Sequence, residues 1–367
     1  MRQIASVEIH AIVNELQVLA ECYLKKFYDL GDDSFRLLFE SKSGSYVVYI
    51  KLLQAINLTT ITEEVDEPTN FAKAIRKRLL GKKLRAVAQH YSDRIVVFDF
   101  SGEEEYKLIV EMFGKGNVVL ADKEYRILLA YNIVRQKDRD ISPKVIYQFP
   151  SSTKINVDSI TKEQVDEVVE RLKSSPERII KELSNQLDVG PLYLEDMFNR
   201  SLINPKSKGD DLQGGTLLAK NIFEFFKNVK NPKPVIYSRG GELVDYAIFP
   251  IIKYKDCEAV ECESISKALE RFYLEDRTRL EKSEEELDEL RANIANQKKI
   301  LEEITETERH DTLAGHKIME QMYQVNQIIE YINQKRRVTI EELRERFGMV
   351  KSVDLKNKTM VIEVKDD

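Results

Sequence analysis

Apolar residues near the start of the chain recur at helical spacing. Ile9, Ile12, Val13 and Leu16 fall on one face, with Ser6 placed to cap the helix. Strand-like runs follow over residues 21–28, 35–40 and 46–51, and Gly31-Asp32-Asp33 and Lys42-Ser43-Gly44-Ser45 between them are hairpin punctuation. Thr69-Asn70 then opens a helix with Phe71, Ile75 and Leu79 on one side, closed by Gly81. Further strands are predicted over 84–89, 95–100, 106–112, 117–120 and 126–132, separated by turns at Ser92-Asp93, Ser101-Gly102, Gly114-Lys115-Gly116 and Asp122-Lys123. Short strands with frequent turns describe a sandwich or barrel-like unit, ending near Pro150.

Residues 151–230 read as helical. Thr161 with Gln164 fits a capping box, Ser175-Pro176 fits a cap with proline in the first turn, and Val189-Gly190-Pro191 ends one helix and starts the next. Residues 206–215 form a polar, glycine-containing loop, and residues 232–249 return to strand around Arg239-Gly240-Gly241. From Ile265 the period changes to seven. Leu280, Leu287, Ile294 and Leu301 define a seam, with Leu290 and Ile304 in companion positions and Ser283 and Gln297 as polar interruptions. At about 1.5 Å per residue, a helix over 265–305 would be a rod of roughly 60 Å. A second helix carries Ile318, Met322, Val325, Ile329 and Ile332, Thr339 caps a third, and the chain closes on strand-like runs at 349–355 and 359–364. The fold class is therefore α+β. Its expected parts are a β-rich domain over 1–150, a helical module with returning strands over 151–255, a coiled-coil arm over 264–308, and a small α/β middle domain over 309–367.

Composition narrows this picture. A length of 367 residues suits two or three domains, and 42% apolar against 33% charged residues is neither a membrane protein nor a disordered one. No apolar run is long enough to span a bilayer, and the N-terminus lacks the apolar stretch of a signal peptide. Three cysteines fit a reducing cytoplasm better than a disulfide scaffold. The formal charge of −6 points away from nucleic acid until it is partitioned. Residues 270–308 hold thirteen acids and seven bases, a net of −6 that equals the whole. Residues 70–94 hold Lys73, Arg76, Lys77, Arg78, Lys82, Lys83, Arg85 and Arg94 against the single acid Asp93, a net of +7.

That cluster is the strongest chemical signal. Cations on a helix stripe and the adjoining hairpin can neutralise several phosphates without reading sequence, and they equally suit a solvated helix face. Asp93-Arg94 falls where one strand turns into the next. A carboxylate there can orient a guanidinium for phosphate or base recognition, although a turn aspartate beside a surface arginine is the commoner arrangement. Residues 111–117, Glu-Met-Phe-Gly-Lys-Gly-Asn, lack the Gly-Lys-Ser/Thr ending of a phosphate loop and read as a tight turn. The four histidines are scattered, and Cys257 and Cys262 have no ligand neighbours, so neither a metal nor a cofactor is expected. No hydrolase, zincin or dinucleotide fingerprint is present, which lowers the expectation of an enzyme.

Several segments together resemble the NFACT family. They are Thr69-Asn70-Phe71-Ala72 leading into residues 75–84, Tyr91-Ser92-Asp93-Arg94-Ile95-Val96, residues 111–120, Ala314-Gly315-His316-Lys317-Ile318, and Lys351-Ser352-Val353-Asp354, in family order along the chain. The resemblance implies an N-terminal domain similar to formamidopyrimidine-DNA glycosylases, a helical module, and a coiled coil carrying a middle domain. Those glycosylases act through an N-terminal proline. Arg2 stands there, so glycosylase chemistry is not expected, and a structure-specific nucleic-acid enzyme is the rival reading. A surface adhesin is a second rival, because some relatives carry a fibronectin-binding label.

The resemblance further implies a cytoplasmic ribosome quality-control factor. Family members bind large ribosomal subunits that retain peptidyl-tRNA after a stall, and recruit tRNA for untemplated C-terminal tailing of the nascent chain. It carries a tRNA-handling role to Asp93 and Arg94, to Glu8 in the first helix, and to Glu111, Lys115 and Asn117, with the basic residues 73–85 gripping phosphate. The family's C-terminal domain and the second arm of its coiled coil are missing, so the middle domain is expected to be cut short. An unpartnered seam of this kind predicts a homodimer through the rod. A solution mass that stays monomeric at every concentration would count against it.

Overall fold

The computed structural model describes residues 2–62, 67–136, 139–150, 155, 159–212, 214–335, 337–354 and 356–363, without the side chains of 211 and 275–286. Leu280, Ser283, Leu355 and Val364, which the sequence places in the seam and the last strands, lie outside that description. The chain divides into two compact units, Met1–Arg279 and Leu280–Asp367.

The first unit opens with α1 (Ser6–Glu15), buried over most of its circumference. Ala5, not Ser6, is its N-cap, because the Ser6 hydroxyl donates instead to the carbonyl of Ser92. A nine-stranded antiparallel sheet follows: β1 (Tyr23–Gly31), β2 (Ser34–Ser41), β3 (Gly44–Lys51), β4 (Ala55–Thr59), β5 (Lys83–Gln89), β6 (Ile95–Ser101), β7 (Tyr106–Glu111), β8 (Asn117–Asp122) and β9 (Ile127–Ala130). Its order is β4-β3-β2-β1-β5-β6-β7-β8-β9. The sequence pattern did not predict β4 or the short hairpin β10 (Val134–Gln136) and β11 (Arg139–Ile141).

The two halves of the sheet join at a narrow seam, where β1 and β5 pair at Tyr23 and Lys83. The sheet folds over there, which brings β2 to face β6. Phe39 stacks on Phe98 and Phe100 at 6.5 and 6.3 Å between ring centres. The helix α2 (Asn70–Leu79) buries Ala72, Ile75 and Leu79, and Thr69 caps it by accepting from the amide of Ala72 at 3.2 Å. Its opposite face is left to Lys73, Arg76 and Lys77, as the 3.6-residue period requires.

Helices α3 (Lys162–Lys173), α4 (Ile179–Gln186), α5 (Pro191–Arg200) and α6 (Gly215–Lys230) form the helical module. The Thr161–Gln164 capping box is present, and Pro191 opens α5 behind Gly190. Ser175-Pro176 does not start its helix directly, because α4 begins only at Ile179. A three-stranded sheet of β12 (Val235–Arg239), β13 (Glu242–Ala247) and β14 (Glu258–Glu261) completes the unit, in the order β13-β12-β14. The boundary expected near Pro150 does not divide the core: one apolar cluster runs from Ile4 through Phe98, Tyr193 and Phe226 to Leu269. Gly190 shows why. It has φ +88°, and a Cβ there would lie 2.8 Å from the Cβ of Ala5, so the turn into α5 sits against the N-terminal segment.

The long helix α7 (Ile265–Glu320) extends beyond the predicted arm and breaks only at Gln321. Its first turn is fastened to the first unit. The Glu15 carboxylate accepts from the amides of Ile265 and Ser266 at 2.7 and 3.0 Å, supplying the acceptors that a helix N-terminus lacks. The Ser266 hydroxyl accepts from the Leu58 amide at 3.1 Å. Glu270 takes the hydroxyls of Thr59 and Thr60, the amide of Thr60 and the ammonium of Lys267.

In the second unit, α8 (Met322–Gln334), α9 (Ile340–Arg346), β15 (Val350–Asp354) and β16 (Thr359–Ile362) close around Ile328, Leu343 and Val350. The heptad residues Leu287, Leu290, Ile294, Leu301 and Ile304 remain 47–63% exposed.

Burial pushes the Glu270 carboxyl up, but the hydrogen bonds from Lys267, Thr60 and Thr59 outweigh it and hold the group at about 2, below its ordinary 4.5. A depressed folded-state value gives stability that is complete above pH 4.5 and is lost as pH falls towards 2. Amide exchange in the first turns of α7 should therefore accelerate across that interval. Glu270→Gln should lose about 1.5–3 kcal/mol at neutral pH and flatten the acid response. An unchanged acid response in the variant would refute this account.

Candidate nucleic-acid interface

The register of the sheet gathers the expected contacts along one edge. Ile95 pairs with Glu111, and Glu111 pairs with Asn117. The β5–β6 turn, carrying Asp93 and Arg94, thus lies beside the β7–β8 turn, carrying Lys115. The two turns are bonded directly, since the Met112 amide donates to the Arg94 carbonyl at 2.8 Å. Lys115 is exposed, between Gly114 and Gly116 in positive-φ conformations. A Cβ on Gly116 would come 2.7 Å from the Cβ of Leu52, so this turn packs on the β3–β4 connection.

Asp93 and Arg94 are both partly exposed, and they do not bond each other: of the two arrangements the sequence allowed, the turn aspartate beside a separate arginine is the one observed. The Asp93 carboxylate faces Nδ1 of His90 at 3.1 Å. Arg94 is oriented by the N-terminal segment, its Nη1 donating to Oε1 of Gln3 at 2.8 Å. Gln89 ties the turn to α1, its amide donating to the carbonyls of Ser6 and Asp93 at 3.0 and 2.8 Å.

Three of the expected contacts lie beneath the surface. Glu8 is wholly buried, and its carboxylate accepts from Nη1 and Nη2 of Arg2 at 2.9 and 2.5 Å, from the Ala5 amide at 2.7 Å and from the Tyr193 hydroxyl at 2.7 Å. Arg2 also donates to Asp245 at 2.9 Å and to the Tyr246 carbonyl at 2.9 Å, and lies over the Tyr246 ring at 4.4 Å. Burial works against the Arg2 charge, but Glu8 more than compensates and keeps it protonated. Glu111 is buried against Tyr147, which donates at 2.6 Å, and against Arg139. Burial raises its carboxyl above the ordinary value, with the Tyr147 and Arg139 hydrogen bonds pulling the other way. Asn117 is buried and satisfied by Asn132, donating to its carbonyl at 2.7 Å and accepting its amide at 2.9 Å. These three side chains shape the edge from below rather than face a ligand.

The basic cluster divides. Lys83 pairs with Glu21 at 2.5 Å, and Arg85 with Asp99 at 2.6 Å. Arg76 donates to the Phe27 carbonyl at 2.7 Å and lies over Tyr28. Lys73, Lys77, Arg78 and Lys82 have no carboxylate partner among the described residues. Lys77, Arg78 and Lys82 border an open cleft of about 630 Å3 that also contains Glu103 and Glu104. Lys77, Arg78 and Lys82 lie beside the start of β5, whose seven residues, about 20 Å at 3.3 Å per residue, separate them from the Asp93–Arg94 turn. The other end of α2 is placed differently: Phe71, two residues before Lys73, packs on Tyr131 at 5.3 Å, and the next residue, Asn132, donates to the Gly116 carbonyl beside Lys115.

Among the described residues, no group of three or more histidine, cysteine or acidic side chains is arranged to hold a metal. No described helix is long and apolar enough to cross a membrane.

A folded-over antiparallel sheet followed by a helical module is shared with solved bacterial structures. One is the fibrinogen-binding protein from Staphylococcus aureus, at TM-score 0.62 and 22% identity over 73% of this chain and 98% of that one. Another is the N-terminal part of the fibronectin/fibrinogen-binding protein from Streptococcus suis, at TM-score 0.59 and 22% identity over 74% and 99%. Residues 6–363 match the family described as NFACT N-terminal and middle domains, and the chain belongs to that family. Among curated relatives, the archaeal Rqc2 homolog aRqcH of Methanocaldococcus jannaschii is 26% identical over the whole of this chain and 58% of its own length. The human ribosome quality control complex subunit NEMF is 24% identical over 73% of this chain and 27% of its own. The chain therefore spans little more than half of the archaeal relative.

Sequence reasoning missed the residues that build the edge: Arg2, Gln3, Gln89, Arg139, Tyr147 and Tyr193. Arg2 and Asp245 are 243 positions apart, and no local pattern links them. Removing Arg2 leaves Glu8 charged and buried with half its donors gone. Arg2→Ala should destabilise the first unit by about 3 kcal/mol, visible as a lowered midpoint in urea. The double variant with Glu8→Gln should recover part of that loss. Equal stability of Arg2→Ala and the parent would show that the pair holds nothing together.

Proposed function

We propose that the chain is the RNA-facing part of a ribosome quality-control factor, one that binds large ribosomal subunits retaining peptidyl-tRNA and recruits tRNA for untemplated tailing of the nascent chain. The names of the archaeal and human relatives support the quality-control role. The observation that carries the RNA reading is the sheet edge where Arg94 and Lys115 stand on two turns bonded to each other, the first of them tied to the N-terminal segment. Arg94 keeps one guanidinium nitrogen on Gln3, and its remaining donors suit phosphate or a base edge. Glu8, Glu111 and Asn117 act in this reading as positioning residues. Lys77, Arg78 and Lys82 form a second, purely electrostatic contact at the far end of β5, and Lys73 extends it along α2 towards the β7–β8 turn.

Reversing Lys73, Lys77 and Arg78 to glutamate should weaken binding to large subunits more than ten-fold. It should also reduce the slope of log affinity against log salt by about two to three, as three lost phosphate contacts require. Arg94→Ala should reduce tRNA recovered with the subunit while leaving thermal stability unchanged, because its side chain is partly exposed and its hydrogen bond to Gln3 lies at the surface. Unchanged affinity and an unchanged salt slope in the triple variant, with tRNA recovery intact in Arg94→Ala, would overturn the proposal.

A further inference from the structure

The β5–β6 turn carries one side chain that neither the packing nor the turn explains. Tyr91 is 66% exposed, and its backbone is left-handed at φ +47°. Bulky L-residues avoid that conformation, and a turn needing it is ordinarily filled by glycine or asparagine. The large aromatic surface at this position is therefore retained against local backbone preference. It contributes little to the core, since its one ring contact is edge-on to His90, at 4.7 Å and 82°.

What lies behind Tyr91 is rigid. His90 stacks flat on Phe149, at 3.8 Å and 8° between planes, and its Nδ1 is fixed by Asp93. Phe149 is in turn wedged edge-on between Tyr125 and Tyr147, at 5.3 and 5.0 Å. An exposed aromatic face on a rigid base, three residues from a partly free guanidinium, is what sequence-tolerant stacking of an unpaired base requires.

We propose that Tyr91 is a base-stacking platform, taking an unpaired nucleobase from a loop of structured RNA while Arg94 and Lys115 hold the flanking phosphates. This rests on the RNA-binding reading above and specifies its ligand: a loop with accessible bases rather than a duplex backbone. A protein surface could also cover Tyr91, but the cations on both neighbouring turns favour the polyanion.

The chain contains no tryptophan, so Tyr91→Trp installs a single indole reporter in the intact protein. Two probes are compared: an RNA stem-loop, and the same stem-loop with abasic loop nucleotides, which keeps every phosphate and removes the stacking partners. The indole emission of Tyr91→Trp should be quenched by the intact stem-loop and not by the abasic one. Tyr91→Ala should bind the intact stem-loop roughly ten-fold more weakly, the abasic one with parental affinity, and both with the parental salt slope. Tyr91→Phe should bind as the parent does, which separates stacking from any role of the hydroxyl. Indole emission unmoved at saturating stem-loop, or equal losses on both probes in Tyr91→Ala, would overturn the stacking role while leaving RNA binding intact. Failure of the parent to bind either probe would overturn both readings. Quenching by RNA-free ribosomal proteins alone would replace the base with a protein contact.

Discussion

The pairing of a partly exposed Arg2 with a fully buried Glu8 is the interaction on which the first unit turns. Moving two charges out of water is costly, and the cost is met only when each remaining donor and acceptor is filled. Here they are. The guanidinium bonds Glu8 twice, Asp245 once and the Tyr246 carbonyl once, and the carboxylate adds the Ala5 amide and the Tyr193 hydroxyl. The Tyr193 oxygen then accepts from the Ile248 amide at 3.1 Å, carrying the chain of bonds past the end of β13. Three regions far apart in sequence, the N-terminal segment with α1, then α5, then β13, thereby converge on one ion pair.

The same pair reaches the sheet edge through a single step along the chain. Gln3 follows Arg2 and holds Arg94, so the exposed guanidinium is oriented by a segment whose own position is set by a buried charge. This gives the acid in α1 a bearing on the surface without contact with solvent. The edge also depends on buried polar groups at its other turn, where Glu111 and Asn117 fix the ends of β7 and β8 through Arg139, Tyr147 and Asn132. Both turns are therefore pinned from beneath, while their cations face outward.

Much of the architecture was legible from local pattern. The strands of the hairpins, the Thr69 and Thr161 caps and the helical start at Pro191 all follow from period, turn residues and capping chemistry. What was not legible is of two kinds. The short strands β4, β10 and β11 carry too few residues for alternation to declare itself. The polar contacts that order the sheet edge are long-range, and neighbours in sequence are not the partners. Asp93 is next to Arg94 in sequence yet bonds His90, and Ser6 leaves its capping role to bond Ser92. Partition of charge located the basic region, but only the fold shows that Lys83 and Arg85 are spent on Glu21 and Asp99 and that β5 separates Lys77, Arg78 and Lys82 from Arg94.

Helix α1 is engaged at both of its ends, and this makes it a strut. At its N-terminus Ser6 is bonded to Ser92 and Gln89 in the turn beside Arg94; at its C-terminus Glu15 closes the first turn of α7. Ten residues of helix, about 15 Å, thus span from the Asp93 turn to the root of the long helix, with an apolar face clamped in the core between. The Asp93 turn and the root of α7 are therefore anchored on the same ten residues, and α1 is a common reference for two parts of the chain that lie far apart in sequence.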